Sequence, residues 1–208
     1  SELVFEVAGT KCAIAICEDI WDADSSRSRD LKAQGVELLI VPNGSPYTRE
    51  KSAQRRATAK NFASGLNLAY VNLAGGQDEL VFDGDSIVVN GGGAVIARAP
   101  QFEDGIAVVD IDVATRTSSP DVVISEDEVL VDRVLVPGIA VRLDDREEIW
   151  QALVIGLRDY VEKNGFRSVV VGLSGGIDSA LVVAIAIDAL GAKRVNAVAM
   201  PSKYSSAH

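Results

Sequence analysis

The sequence predicts a mixed α/β fold in two successive parts, and three observations carry that expectation. Residues 1–112 are short β-branched runs separated by turn residues, with two helical stretches among them. The composition then turns acidic over residues 119–132, and residues 167–200 follow in the order apolar strand, glycine-rich turn, helix, apolar strand. The first part on this reading spans residues 1–118, a linker 119–143, and the second part 144–208.

Strands are expected at residues 4–7, 11–17, 36–41, 69–73, 86–89, 94–98 and 106–111, where β-branched and apolar residues are bounded by Gly, Asn, Asp and Pro. The run Gly91-Gly92-Gly93 between two of them is a hairpin signal. Helices are expected at 26–34 and 49–67. In the second, Ala53, Ala57, Phe62, Ala63 and Leu66 share a face while Lys51, Arg55, Arg56 and Lys60 stay in water. The linker follows from Asp121, Glu126, Asp127, Glu128 and Asp132, which lack basic partners and lie between Pro120 and Pro137. Asp144-Asp145 supplies an N-cap and an acidic first turn, and Ile149, Leu153, Leu157 and Val161 recur every four residues until Asn164-Gly165 stops the helix. A strand at 167–173, a turn at 174–179, a helix at 180–190 and a strand at 194–200 make a βαβ unit, whose two strands should be parallel and buried on both faces.

Composition narrows the partners. The chain has 208 residues, 48% hydrophobic, with 20 Lys+Arg against 30 Asp+Glu and a net charge of −10. Disorder, collagen and coiled coil are excluded. A chain with no basic cluster denser than Arg55-Arg56 lacks the face that duplex nucleic acid or an anionic membrane requires. Small molecules and protein remain. The longest uncharged stretch, residues 61–77, is too short and polar to span a bilayer. The chain opens at Ser1 with no signal-peptide pattern, which reads as a start inside a domain. Cys12 and Cys17 stand an odd number of residues apart, so on one strand they face opposite ways and cannot bridge. A reduced, cytoplasmic setting is expected.

Two places carry chemistry. Gly172-Leu173-Ser174-Gly175-Gly176-Ile177-Asp178-Ser179 sits where a parallel strand turns into a helix, so backbone N–H groups and the helix dipole favour an anion there. The two glycines admit close approach, Ser174 and Ser179 offer hydroxyls, and Asp178 offers a hard oxygen for Mg2+. The loop lacks the Gly-Lys-Ser/Thr of a Walker A motif and is not GxGxxG. Its alternative is a tight turn that uses glycine for packing and Ser/Asp as caps. Further upstream, Cys17 closes the apolar run Ala13-Ile14-Ala15-Ile16 and is followed by Glu18-Asp19-Ile20-Trp21. A thiol at the carboxyl end of a strand is well placed for attack. Its alternative is a structural cysteine, the reading kept for Cys12.

The loop at 174–179 resembles the signature of the N-type ATP pyrophosphatases, and Met200-Pro201-Ser202-Lys203-Tyr204-Ser205-Ser206 resembles the adenine-side loop of NAD synthetases. Cys17-Glu18-Asp19-Ile20-Trp21, Pro42-Asn43-Gly44-Ser45-Pro46-Tyr47 and residues 72–86 resemble the nitrilase-like glutaminase domain of glutamine-dependent NAD synthetases. That resemblance implies the C-terminal part of a nitrilase-like αββα sandwich, followed by the start of a Rossmann-like parallel-sheet ATP pyrophosphatase domain. It implies Cys17 as nucleophile; Glu18, Ser45 and Lys51 beside bound glutamine; and residues 172–179 around ATP, with Asp178 on Mg2+ and Met200 near adenine. Deamido-NAD as substrate and a homo-oligomer, as nitrilase-like domains commonly form, are also implied. The family's catalytic lysine and glutamate lie upstream of the cysteine, so this chain is expected to be a central, inactive piece of a longer enzyme. Two rivals stand: another glutamine amidotransferase with an ATP pyrophosphatase domain, and a non-catalytic oligomerisation piece.

Overall fold

The structure, a computed structural model, describes residues 3–22, 26–113, 119–127 and 138–200. Along the chain lie β1 (Val4–Val7), β2 (Thr10–Ile14), α1 (Arg27–Ala33), β3 (Leu38–Asn43), α2 (Lys51–Ala63), β4 (Asn67–Asn72), β5 (Ala74–Gln77), β6 (Leu80–Asp83), β7 (Ile87–Val89), β8 (Val95–Arg98), β9 (Val122–Ser125), α3 (Asp145–Lys163), β10 (Val169–Leu173), α4 (Ile177–Leu190) and β11 (Val195–Ala199). They form two compact units, one of Ser1–Ala74 with Asp83–Arg142, the other of Gly75–Phe82 with Leu143–His208. No helix among the described residues is long and apolar enough to cross a membrane.

In the first unit seven strands pair in the order β8-β7-β4-β3-β2-β1-β9. The centre is parallel, β2 to β3 and β3 to β4, as helical crossovers require. A two-residue turn with Ala8 (φ 48°) and Gly9 (φ 77°) both left-handed closes the antiparallel β1–β2 hairpin. Strand alternation sends Leu39, Val41, Leu68, Tyr70, Ile87 and Val89 to one face, where they pack with Leu31, Ala59, Phe62 and Ala63 of the helices. On the opposite face Ile14 and Val71 are about half exposed. This is one helix-on-sheet half of a sandwich.

Three expectations change here. The stretch at 106–111 forms no strand: Ile106 is almost fully exposed, and residues 105–107 line a cleft of about 620 Å³ with Asn43, Asn72 and Ser86. Its alternation was real, but alternation does not reveal whether a sheet edge is available. Inside the acidic stretch, β9 pairs parallel with β1, and Asp121 Oδ2 accepts from Val4 N–H at 2.8 Å. Arg55 is only 2% exposed, and Ala53 and Ala57 face solvent. The buried line of α2 is Ser52, Arg55, Ala59, Phe62 and Ala63. Spacings of three and four put those residues on one face, but two of them are polar, so the hydrophobic pattern hid it.

In the second unit, Asp144 caps α3 by accepting from Arg146 N–H (2.9 Å) and Glu147 N–H (3.0 Å). The expected stripe is displaced. Ile149 and Leu153 are exposed, and Glu148, Ala152, Val154, Ile155 and Val161 are buried. The β5–β6 hairpin, which was not expected, accounts for the shift. Gly76 N–H donates to Asp159 Oδ2 at 2.7 Å, and Lys163 Nζ donates to Gly76 O. A Cβ at Gly76 would lie 3.2 Å from Gly156 Cα, and one at Gly156 would lie 3.0 Å from Val81 Cγ2. Glycine in mid-helix, at a cost of about 1 kcal/mol against alanine, is therefore what lets the hairpin lie down on α3. Strands β10 and β11 pair parallel from Val169↔Val195 to Leu173↔Ala199. They are not buried on both faces: Val170 is 72% exposed, because α4 covers one side and no described element covers the other.

Candidate active site

Strand β2 ends at Ile14, and Cys17 opens a single 3-10 turn, Cys17–Ile20, rather than closing the strand. Its φ is 46°, in the left-handed region that costs a non-glycine residue about 1–2 kcal/mol. Neighbours hold the turn in that shape. Asp19 Oδ2 accepts from Ile16 N–H at 2.7 Å, and Arg27 Nη1 pairs with Asp19 Oδ1 at 2.9 Å while donating to Asp19 O at 3.1 Å. The Ile16 N–H, then Arg27, hold the Asp19 carboxyl below its ordinary value. Cys17 is half-buried and free, and Cys12 is buried, its thiol pushed up by burial and by Glu37.

Facing the turn is a polar cluster from four elements. Asn72, at the end of β4, grips Ser45 on both sides: its Oδ1 accepts from Ser45 N–H (3.0 Å) and its Nδ2 donates to Ser45 O (3.3 Å). From α2, Arg55 donates through Nε to Ser45 Oγ (3.1 Å) and through Nη2 to Ser45 O (2.7 Å) and Pro46 O (3.0 Å). Its Nη1 meets Asp83 Oδ1 at 2.6 Å. Burial pushes the Asp83 carboxyl above its ordinary value, and Arg55 pulls the other way. Tyr70 belongs to the same cluster. Burial pushes its phenol up to about 12, against the pull of Arg55 and the Ser45 hydroxyl, with Cys17 and Asp83 adding to the rise. Among the described residues neither its Oη nor Asp83 Oδ2 has a partner within full hydrogen-bond geometry. Next to it Asp85 takes Arg98 as a fork, Nε to Oδ1 at 2.6 Å and Nη2 to Oδ2 at 3.1 Å, and accepts from Ser52 Oγ.

Of the sequence-based candidates, Cys17 and Ser45 both act on the Tyr70 phenol. Lys51, the first residue of α2, lies with Nζ 4.5 Å from the centroid of the Trp21 ring, just beyond the cysteine turn. Glu18 is exposed, and its carbonyl accepts from Trp21 N–H. Sequence reasoning missed Arg55, Asp83 and Tyr70. The signal for the pair was the buried three-and-four spacing through Arg55, with a carboxylate in the Phe82-Asp83-Gly84 segment to match it.

In the second unit Gly176 is the extended N-cap of α4, and Gly175 is left-handed at φ 87°. Ser179 Oγ reaches back to donate to Gly176 O (2.9 Å) and lies 3.1 Å from Ser174 Oγ, so both hydroxyls sit at the mouth of the loop. Met200 N–H donates to Leu173 O (3.3 Å), and its side chain lies against Gly172, where any Cβ would collide with Met200 Cε. Met200 and the loop are thereby adjacent; residues 201–206, the rest of the segment that resembles an adenine-side loop, lie outside the described residues. Leu173 ends β10, and Ile177 and Asp178 are exposed on the first turn of α4. Among the described residues no three His, Cys, Asp or Glu side chains converge as metal ligands.

Residues 149–208 match the NAD synthase family, and residues 2–121 match the carbon-nitrogen hydrolase family. Over 208 residues the chain is 45% identical to a glutamine-dependent NAD(+) synthetase of Xylella fastidiosa (strain 9a5c), covering 99% of this chain and 35% of that protein. It is 44% identical to one of Aquifex aeolicus (strain VF5), covering 98% of this chain and 39% of the relative. A solved glutamine-dependent NAD+ synthetase from Acinetobacter baumannii, in complex with ADP, superposes with a TM-score of 0.81 at 41% identity, over 100% of this chain and 36% of that one. The chain thus spans a little over a third of the length of these relatives. With more than half of its residues in that match, it belongs to the carbon-nitrogen hydrolase family.

Proposed function

We propose that the protein containing this chain is a glutamine-dependent NAD synthetase, with a glutaminase domain ending near residue 118, a linker to 143 and a synthetase domain from 144. The observation that carries the reading is one chain holding both a strained, half-buried cysteine turn and a glycine-rich strand-to-helix turn. Relatives of that name, 44–45% identical along its length, support it.

Glutamine lies between the Cys17 turn and Ser45, with Lys51 opposite its carboxylate and Glu18 at the rim. An amide resists water, and a thiolate is nucleophile enough to attack its carbon, expelling ammonia and leaving a thioester that water cleaves to glutamate. In the second domain Gly172, Leu173, Ser174, Gly175, Gly176, Ile177, Asp178 and Ser179 surround the phosphates of ATP, whose charge suits the α4 N-terminus, and Met200 lies beside adenine. Mg2+ is held by few protein oxygens, with phosphate and water supplying the rest, so the single carboxylate of Asp178 fits it and would offset charge on departing pyrophosphate. The carboxylate of deamido-NAD attacks the α-phosphorus, pyrophosphate leaves, and ammonia then displaces AMP to give the amide. A cytoplasmic homo-oligomer is part of the proposal.

The test is nitrogen-source dependence in the full-length protein. Cys17→Ala should abolish NAD formation from glutamine and preserve it from ammonia. Loss of both activities together would sink the two-site scheme.

A further inference from the structure

We infer that Arg55 is a positioning residue for glutamine recognition, acting by fixing which way the Ser45 hydroxyl points its proton. The inference rests on the reading of Ser45 as a glutamine contact. The guanidinium is almost wholly buried, at 2% exposure, and among the described residues the oxygens it bonds belong to Ser45, Pro46 and Asp83. Arginine has donors only, so Nε placed against Ser45 Oγ occupies an acceptor lone pair of that hydroxyl. The hydroxyl proton is then directed away from Arg55, to the side that Ser45 shares with Tyr70, where an entering oxygen competes with the phenol for it. The two carbonyls held by Nη2, and the double grip of Asn72, keep the Ser45 backbone from turning to undo that orientation. A donor fixed in this way favours an amino acid that presents a carboxylate or amide oxygen.

Arg55 itself is anchored by Asp83. That carboxylate is fully buried and, through Oδ1, holds Nη1 on the side away from Ser45. Lysine at position 55 would keep a charge for Asp83, but one ammonium cannot reproduce a planar fork that bonds three separate groups. The chain of effect runs from Asp83 through Arg55 to Ser45, and none of these groups is needed to activate the Cys17 thiol.

Glutamine hydrolysis by the full-length protein, wild type against Arg55→Lys, tests this. Iodoacetamide alkylation of Cys17 is measured alongside, as a probe of the thiol that needs no Ser45 contact. The expected result is a KM for glutamine raised about 10- to 100-fold, the equivalent of a lost charge-assisted hydrogen bond. The kcat should stay within about threefold and alkylation should be unchanged. Asp83→Asn, which keeps the accepting oxygen but not the charge, should raise KM by a smaller factor. An unchanged KM in both variants overturns the inference. So does a fall in kcat with a parallel change in alkylation, which would put Arg55 in the service of the nucleophile or of the fold. A wild-type protein that does not hydrolyse glutamine at all overturns the glutaminase reading, and the inference with it.

Discussion

The left-handed backbone at Cys17 is held by the side chains of Asp19, within the turn, and Arg27, outside it, so that conformation should fail when they are removed. In the full-length protein Asp19→Ala should lower the kcat of glutamine hydrolysis about 10- to 100-fold, since a misplaced nucleophile loses its near-attack geometry. The pH dependence has a definite sign. The Asp19 carboxyl is held below its ordinary value, so its support is complete above that value and is lost only as pH falls through the lowered folded value. Activity between pH 6 and 8 should therefore show no titration from Asp19. A second expectation concerns the thiols: a glutamine-analogue electrophile should label Cys17 and spare Cys12, which is buried with its thiol pushed up. Mass-spectrometric mapping of the adduct decides it, and modification of Cys12 would overturn the assignment. Arg55→Ala, which leaves Asp83 buried without its cation, should destabilise the first unit by about 3–5 kcal/mol in chemical denaturation. Cys17 stood out in the sequence as a candidate because an apolar run ended beside it. Arg55 did not, because an arginine beside Arg56 on a helix reads as solvated until its carboxylate partner, 28 residues away, is brought against it.

Helix α3 shows how far a pattern can be trusted at the next scale. Its start was legible because a cap is local: Asp144 precedes an acidic first turn and accepts two N–H groups. Those bonds hold the Asp144 carboxyl below its ordinary value, so the cap is whole at neutral pH and weakens as pH falls through the lowered value. Asp144→Asn keeps an accepting oxygen and should flatten the acid dependence of unfolding while leaving the neutral-pH helix signal in circular dichroism nearly intact. The buried face of α3 was not legible, because it is set by the hairpin packed on Gly156, and Gly75-Gly76 reads as turn rather than strand. Gly76→Ala should cost about 1–3 kcal/mol, as overpacking does, because the neighbour in its path is helix backbone that cannot swing aside. Thermal unfolding that is unchanged in this variant would show the hairpin to be loosely seated. Likewise β9 hid in an acidic stretch, since an edge strand with Val122, Val123 and Ile124 exposed needs no alternation.

For the molecule as a whole, the expectation is that these 208 residues alone release no ammonia from glutamine and form no NAD. Among the described residues Cys17 Sγ makes no hydrogen bond that could carry its proton away, and a nucleophile without its base loses most of its rate. An ammonia assay at high protein concentration checks this; robust release would mean that the catalytic partners lie within the chain. The two-part division was readable from composition, but the path between the parts was not. Gly75–Phe82 is grouped with Leu143–His208, so the second unit is assembled from two separate lengths of chain. No single cut, whether made by a protease or by a gene designer, can release that unit intact. A cut at the Arg142–Leu143 boundary leaves Val81 on the wrong fragment without the helix it packs against, and leaves Gly156 as a bare notch on the other. Halves expressed separately should therefore aggregate or bind one another in trans, so a history of joining two ready-made proteins end to end would have needed this exchange of a β-arm as well.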